Sequence, residues 1–275
     1  MIVKAKTYPF TILRQYDGCG DPYPYLRSND GDKMMTCISP NHGRSFVMAQ
    51  CGGRYIVSKG NGLSYTTHPF INTGEMGCDT WGLLLKQDAL RDFTVGMEIE
   101  SLGIKTNRME YVLEIEREMV LPNGCVLKPT LLQYSVESPY RICDIPFLPK
   151  RQVEMEISKW RNMSRKKAYH MMAADVLTSN LRTLHDNGIL HNAIHFQNFT
   201  LALELLDFEL ACTPKTPYTN DDDRRHVKDL LPREVMQTYE VVNQIAWLLG
   251  EDINYAKVDG LFADKGFTRF VSLIT

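Results

Sequence analysis

Residues 189–209, ILHNAIHFQNFTLALELLDFE, place His191, Asn198 and Asp207 among apolar residues. Asn198 follows His191 by seven residues, and Asp207 follows Asn198 by nine. The apolar run between Asn198 and Asp207 is short and bounded, which is typical of a buried hairpin. Such a hairpin would bring an amide oxygen and a carboxylate to one metal ion, and Mg²⁺ accepts both as ligands. The stretch therefore predicts a cation site at Asn198 and Asp207.

The composition excludes several classes of protein. With 275 residues, of which 44% are hydrophobic and 23% charged, the chain is long enough for a sizeable globular core. The net charge of −2 gives no basic signature for nucleic acid. Seven scattered cysteines without a Cys-x-x-Cys pair indicate reduced thiols. No apolar run approaches the roughly 20 residues that span a bilayer, and no secretory signal is visible. We expect a cytoplasmic protein that binds neither nucleic acid nor membrane.

The first half of the sequence is predicted to be β-rich. Residues 45–48 and 54–58 have the composition of two strands, and residues 107–128 alternate as a hairpin does. One helix interrupts this pattern. It is predicted to begin near Gln87 and to end before Gly103, with Leu90, Phe93, Met97 and Leu102 on its apolar face.

Lys59 ends the second of these strands, and Gly60-Asn61-Gly62 follows at once. A Gly-x-Gly sequence after a strand can bring backbone N–H groups close to phosphate, but it is also an ordinary turn. A lysine that points inward from a strand can contact nucleotide phosphates and pair with a helix carboxylate. Asp92 and Glu98 are the helix carboxylates in question, with two solvated surface charges as the alternative.

The second half changes to helical periodicity. A long helix is predicted within residues 163–188, and another within residues 232–250, with Pro232 as its first residue. This order predicts an α+β, two-lobed fold. We expect a β-rich N-terminal lobe over residues 1–148 and a mainly helical C-terminal lobe over residues 149–275.

Three stretches resemble the protein-kinase-like superfamily, and within it the selenoprotein O family of pseudokinase-like enzymes that transfer AMP from ATP to proteins. KGNGLSYT (residues 59–66) is similar to the family's Lys-Gly-x-Gly segment. LRDFTVGMEIESLGIKTNR (residues 90–108) is similar to the family's helix, which begins with Arg-Glu-Phe and ends in Leu-Gly-Ile. The opening stretch is similar to its His-Gly-x-x-Asn-Thr-Asp-Asn loop and Asp-Phe-Gly triplet. SPYR (residues 138–141) is a weaker match. The resemblance implies a protein-kinase-like fold whose N-terminal helix corresponds to the kinase αC helix.

The resemblance also implies a nucleotide site. Lys59 matches the phosphate-contacting lysine, in a segment with Gly60 and Gly62, and Arg141 matches a phosphate-contacting arginine. Asp92 takes the place of the helix glutamate that pairs with the lysine. Its side chain is one methylene shorter, so the pair would need closer backbones or a bridging water.

Other positions match the family's metal site or depart from it. Asn198 and Asp207 match the metal-binding pair, which implies Mg²⁺ or Mn²⁺ as the cofactor of ATP. Tyr134 stands where the family has a further arginine, and Gln197 where it has a carboxylate before the metal-binding asparagine. Glu209 replaces the glycine of the Asp-Phe-Gly triplet, which argues against a protein-kinase-type switch there.

Ala193 occupies the position of the kinase catalytic aspartate in the His-x-Asp-x-x-x-x-Asn loop. Three explanations stay open. The enzyme follows the selenoprotein O logic, in which that aspartate is dispensable; or the chain is a pseudoenzyme that binds nucleotide without turnover; or Ala193 is an engineered replacement of aspartate. His195 is a candidate base, although a loop histidine is more often a structural hydrogen-bonding residue.

The sequence therefore predicts an ATP- and Mg²⁺-dependent transferase that moves AMP to a protein hydroxyl. A phosphotransferase acting on a protein or small molecule, with aspartate at position 193 replaced by alanine, is one alternative. A nucleotide-binding pseudokinase scaffold is another. A third is an ordinary α+β binding module in which the motifs are coincidental. The acceptor is unidentified in every case.

Overall fold

A computed structural model of the chain describes residues 2–38, 44–62, 81–121, 123–161, 168–216 and 227–267. Residues 63–66 of the predicted phosphate-binding segment lie outside the described residues. The chain forms two compact units. The first comprises Met1–Met97 and Asn107–Pro139, and the second comprises Glu98–Thr106 and Tyr140–Thr275.

The first unit is built on an eight-stranded antiparallel sheet with the strand order β2-β7-β10-β6-β5-β4-β1-β3. Strands β8 and β9 pair separately as a small hairpin. In chain order the elements are β1 (Ile2–Thr7), β2 (Phe10–Gln15), β3 (Tyr25–Arg27), β4 (Lys33–Thr36), β5 (Ser45–Cys51), β6 (Arg54–Lys59), α1 (Lys86–Ser101), β7 (Arg108–Ile115), β8 (Met119–Val120), β9 (Val126–Leu127) and β10 (Thr130–Val136).

Strand β10 is the inner strand of this sheet. All seven of its residues are buried, and it pairs with β7 on one side and with β6 on the other. A strand that is covered on both faces needs apolar residues at successive positions rather than strict alternation, as Leu131 and Leu132 show. Its register places Leu132 opposite Lys59, so the end of β6 lies in the interior of the unit.

Helix α1 presents Ala89, Asp92 and Phe93 to the interior. Of the predicted apolar face, Phe93 is buried, and Leu90, Met97 and Leu102 are partly buried. A face that includes a charged residue is shifted from the one that hydrophobicity alone selects, because the apolar pattern cannot register an inward-pointing aspartate.

The second unit is mainly helical, and α3 packs on α4 and α5. Buried Tyr169 at the start of α3 donates its hydroxyl hydrogen to the Leu201 carbonyl oxygen at 2.6 Å. The predicted start at Pro232 is wrong, because α4 begins five residues earlier; a helix can continue through a proline at the loss of one backbone hydrogen bond. The α-helices are α2 (Lys150–Arg161), α3 (Tyr169–Asp186), α4 (Val227–Leu249) and α5 (Tyr255–Asp264), with 3₁₀ helices at Ile142–Phe147 and Phe196–Asn198.

The predicted α+β class is confirmed, with a β-rich unit and a helical unit. The two strands predicted within residues 45–58 correspond to β5 and β6. The lobe boundary predicted between residues 148 and 149 stays a prediction. None of the helices in the described ranges is long and apolar enough to cross a membrane.

Gly60 is required by close packing. Its φ angle is +95°, and a Cβ atom there would lie 2.6 Å from the Thr130 carbonyl oxygen and 2.7 Å from the Leu84 Cβ atom. Both neighbours belong to the backbone or to its first side-chain atom, so neither can rotate away. Only glycine satisfies the conformation and the space together.

We expect Gly60→Ala to destabilise the protein clearly more than Gly53→Ala. Both positions have positive φ, which costs a β-carbon about 1–2 kcal/mol. Only Gly60 adds overcrowding of roughly 1–3 kcal/mol, since nothing lies within 4 Å of a Cβ atom at Gly53. Urea unfolding of the two variants measures the difference. Equal losses would show that the close approach at Gly60 relaxes freely.

Candidate functional site

A buried ion pair joins β6 to α1 in the first unit. The Lys59 Nζ atom lies 2.9 Å from the Asp92 Oδ2 atom, and the two side chains are 4% and 2% exposed. Removing these charges from water costs several kcal/mol each, and their direct contact offsets part of that cost. The arrangement fixes a lysine ammonium group at the inner end of a central strand.

The contact decides between the two carboxylates considered for Lys59. Asp92 reaches the lysine directly, so its shorter side chain needs no bridging water. Glu98 belongs to the second unit, where its Oε1 atom accepts a hydrogen bond from the Thr216 hydroxyl group at 3.2 Å. The roles of Lys59 and Asp92 in nucleotide binding stay predictions.

The backbone N–H groups of residues 60–62 already have partners. Those of Gly60 and Asn61 donate to the Arg44 carbonyl oxygen at 3.0 and 3.4 Å. That of Gly62 donates to the Gly82 carbonyl oxygen at 3.2 Å. A phosphate group would have to replace these bonds to be bound by the segment. The assignment of Gly60 and Gly62 to a nucleotide stays a prediction, and packing gives Gly60 an independent reason.

His191 anchors the loop of residues 191–198 in the second unit. Its Nε2 atom lies 2.9 Å from the Leu206 carbonyl oxygen, and its Nδ1 atom accepts a hydrogen bond from the Ala193 N–H group at 3.3 Å. The ring meets Phe208 edge-on at 5.4 Å. One nitrogen faces an acceptor and the other a donor, which defines a neutral imidazole protonated at Nε2. Complete burial agrees, since it lowers the pKa of His191.

Asn198 is oriented by the backbone of Ala193. Its Nδ2 atom donates to the Ala193 carbonyl oxygen at 2.9 Å, so the amide is fixed with Oδ1 on the other side. Oδ1 accepts no hydrogen bond from the part of the chain that the structure describes, although Asn198 is only 4% exposed. The Leu206 N–H group donates to the Asn198 carbonyl oxygen at 2.9 Å, which places Asn198 beside the residue preceding Asp207.

The predicted hairpin between Asn198 and Asp207 is confirmed in a minimal form. One antiparallel bridge joins Phe199 to Leu205, and Leu203 makes the turn with a φ of 61°. Asp207 also has a positive φ, 69°. Non-glycine residues in this region are strained by about 1–3 kcal/mol and cluster at functional sites.

Asp207 and Glu209 place two carboxylates close together. One oxygen of each lies within 4.8 Å of the other, and both side chains are partly exposed. Phe208 between them is fully buried. The carboxylates therefore flank a residue that is held in the core.

Glu234 of α4 is the important residue that the sequence did not single out. Its Oε1 atom accepts a hydrogen bond from the Asn192 N–H group at 2.6 Å, and its Oε2 atom lies 2.8 Å from the His185 Nε2 atom. Asn192 adopts a φ of 63° directly before Ala193. A buried carboxylate thus holds the loop in a strained conformation, and nothing in the pattern of an amphipathic helix marks it.

Arg141 and His195 also bind the loop backbone. The Arg141 Nη1 atom donates to the Gln197 carbonyl oxygen at 3.0 Å, and the His195 Nδ1 atom accepts from the Gln197 N–H group at 3.2 Å. Burial lowers the pKa of His195, an effect opposed by Asp207. His195 therefore makes the structural hydrogen bond expected of a loop histidine, and the phosphate-binding role of Arg141 stays a prediction. Tyr134 is buried in β10.

No protein-family model matches the chain, and no curated protein sequence matches it. Among solved structures, it is similar to WaaP in complex with acyl carrier protein, at 12% identity and a TM-score of 0.34, over 83% of this chain and 88% of that one. It is similar to a Toxoplasma gondii specific rhoptry antigen kinase domain, at 10% identity and a TM-score of 0.40, over 84% of this chain and 76% of that one. It is also similar to a Neurospora crassa PAN3 pseudokinase mutant, at 8% identity and a TM-score of 0.40, over 96% of this chain and 68% of that one. Likeness at this level assigns no family, so membership of the selenoprotein O family stays a prediction.

Breaking the Lys59–Asp92 pair from one side should be more harmful than removing it. We expect Asp92→Leu or Lys59→Met alone to lower the free energy of unfolding by about 3–5 kcal/mol, because each removes the opposite charge in direct contact with a buried charge. The double variant Lys59→Met/Asp92→Leu should recover much of this loss, as measured by urea unfolding.

The surface pair Lys86–Glu114 is the matched control, with its lysine half-exposed and 3.0 Å from the carboxylate. Its single variants should change stability by at most about 1 kcal/mol. Strictly additive losses in the Lys59→Met/Asp92→Leu variant would contradict the account of a mutually compensating pair.

The stability of the protein should fall as the pH drops below about 6.5 through His191. Burial lowers its pKa from 6.5, and the opposing charges of Glu234 and Asp207 only partly offset this. The unfolded chain therefore takes up a proton near pH 6.5 that the native protein refuses, so the contribution is complete above that pH and is lost below it. His191→Gln can keep both loop hydrogen bonds without titrating. Its unfolding free energy should depend less on pH between 7.5 and 5.5 than that of the wild type, and parallel curves would refute the assignment.

Proposed function

We propose that the chain binds ATP together with a divalent cation and acts as a transferase of the protein-kinase-like type. The observation that carries the proposal is the buried Lys59–Asp92 pair. As a source of stability, such a pair offers little over apolar residues of the same volume. Its strand–helix setting is the one in which kinases hold the lysine that contacts ATP phosphates.

The cation would be held by Asn198 and Asp207 of the second unit. Two features of the structure fit a hard, oxygen-liganded ion such as Mg²⁺ or Mn²⁺. The amide oxygen of Asn198 is oriented by the bond from Nδ2 to Ala193 and accepts no hydrogen bond within the described ranges. Asp207 supplies a carboxylate at the end of the same hairpin. When bound, the ion would neutralise charge on the phosphates of ATP.

The proposed reaction is transfer of AMP to a hydroxyl group of a protein, as the resemblance to the selenoprotein O family implies. Transfer from ATP depends on positioning and charge neutralisation more than on covalent help from the protein. Lys59 would hold and orient the phosphates. A general base accelerates the attack of a hydroxyl nucleophile by a factor of roughly 10²–10⁴. Neither Ala193 nor Gln197 supplies a carboxylate that could act as this base.

A nucleotide-binding pseudokinase scaffold is the second candidate, and Ala193 is the observation that favours it. His191 and Asn198 each hold the backbone of Ala193 with a hydrogen bond. A loop that keeps its geometry without the acidic side chain is suited to binding without turnover. The two candidates share the site and differ only in whether a group is transferred.

Binding of ATP should require both Lys59, which would contact the phosphates, and Asp207, which would hold the cation. We expect calorimetric titration with ATP and Mg²⁺ to show binding that Lys59→Met and Asp207→Asn each weaken by at least about tenfold, the loss of roughly 1.4 kcal/mol in a charge-assisted contact. The surface variant Lys86→Met should bind as the wild type does. Circular dichroism and thermal unfolding confirm that the variants are folded. Unchanged binding in both site variants would reject the site.

ATP labelled separately at the α and γ phosphates then identifies the reaction. Label transferred from the α phosphate to protein supports AMP transfer, and label from the γ phosphate supports a kinase. Transfer only in Ala193→Asp would show that the alanine disables a phosphotransferase. Binding with no transfer in either chain supports the scaffold.

A further inference from the structure

We propose that Glu209 is a third protein ligand of the divalent cation, so that this chain holds the ion with two carboxylates and one amide oxygen. The inference rests on the proposed function, since it concerns the cation of the same site. It goes beyond it by assigning a role to a residue where the resembling family has glycine. It also predicts that the ion binds before, and without, the nucleotide.

The first observation is the distance between the two carboxylates. Oxygens that share one ion at about 2.1–2.5 Å lie no more than about 5 Å apart. The nearest carboxylate oxygens of Asp207 and Glu209 satisfy this limit, since they lie within 4.8 Å of each other. Two carboxylates at this separation repel each other, and a divalent cation between them turns that repulsion into attraction for both.

The second observation is how the backbone holds the carboxylates. Phe208 is fully buried and its ring packs edge-on against His191, whose Nε2 atom in turn meets the Leu206 carbonyl oxygen. Both neighbours of Asp207 are therefore fixed to one buried imidazole. Asp207 itself has a φ of 69°, and it remains partly exposed, as Glu209 does. The two carboxylates are thus fixed near each other at the surface of a rigid support.

The third observation is independent of the carboxylates. Asn198 is 4% exposed, and its Oδ1 atom accepts no hydrogen bond among the described residues. An amide oxygen that accepts no hydrogen bond from the protein can act as a metal ligand without giving up an existing bond. Asn198 is paired with Leu206, the residue before Asp207, through the Leu206 N–H group. A cation at the Asp207–Glu209 pair would satisfy this oxygen with a ligand bond.

The charge of this ligand set has a measurable consequence. Affinity for a hard cation rises with the number of anionic ligands. A site with Asp207 alone depends on the phosphates of ATP for most of its charge. A site with Asp207 and Glu209 carries two negative charges of its own, so we expect Mn²⁺ to bind in the absence of nucleotide.

The test uses the whole chain and Mn²⁺ alone, with free Mn²⁺ followed by its electron paramagnetic resonance signal. The wild type should bind one Mn²⁺ ion. Glu209→Gln keeps the size of the side chain and should weaken binding by at least about tenfold, because it removes one anionic ligand. Glu209→Gly, which restores the glycine of the resembling family, should do the same. The matched control is Glu240→Gln, which changes an exposed carboxylate on helix α4, away from the proposed site in sequence. It should leave Mn²⁺ binding unchanged.

The outcomes separate this inference from the proposed function. If Asp207→Asn weakens Mn²⁺ binding and Glu209→Gln does not, Glu209 is no ligand and the function stands. If the wild type binds no Mn²⁺ alone but binds ATP with Mg²⁺, the inference is again overturned and the function stands. If neither Mn²⁺ nor ATP binds, both fail. Without metal, Glu209→Gln should be at least as stable in thermal unfolding as the wild type, because the substitution removes the repulsion between the two carboxylates; this result excludes a folding defect.

Discussion

The buried contact between Lys59 and Asp92 is the constraint on which the first unit depends. Each of the two buried charges is stabilised by the other, so the contact holds β6 and α1 in a fixed register. The same requirement explains why α1 turns an aspartate inward at the cost of a purely apolar face. The sheet around it is conventional, with a fully buried inner strand and antiparallel neighbours on each side.

The second unit uses hydrogen bonds where the first uses an ion pair. Three buried side chains hold the loop: His191 binds it to the hairpin, Asn198 binds it to itself, and Glu234 binds it to α4. The last of these supports Asn192 in a left-handed conformation that an isolated loop would rarely adopt. Ala193 takes part in these bonds only through its backbone N–H group and carbonyl oxygen, so they do not depend on the side chain at this position.

The sequence predicted whatever depends on local pattern. Strands β5 and β6, the α+β class and the hairpin after Asn198 follow from periodicity and punctuation, and the structure confirms them. The inward direction of Asp92 does not follow, because a helical wheel allows a carboxylate at the edge of an apolar face to turn either way. Glu234 was beyond reach, since its partners His185 and Asn192 are more than forty residues away in the chain. The close packing that requires Gly60 involves Thr130, which is also distant in the sequence.

Because both carboxylate oxygens of Glu234 have partners, this position requires a carboxylate and not only a side chain of the same size. One carboxylate oxygen must accept the N–H group of Asn192, and the other faces the Nε2 atom of His185. Glutamine has the same outline but only one accepting oxygen. If that oxygen serves Asn192, the amide group can face His185 only when the imidazole carries its proton on Nδ1. The conformation of the loop is thus linked to the tautomer of a histidine at the far end of another helix.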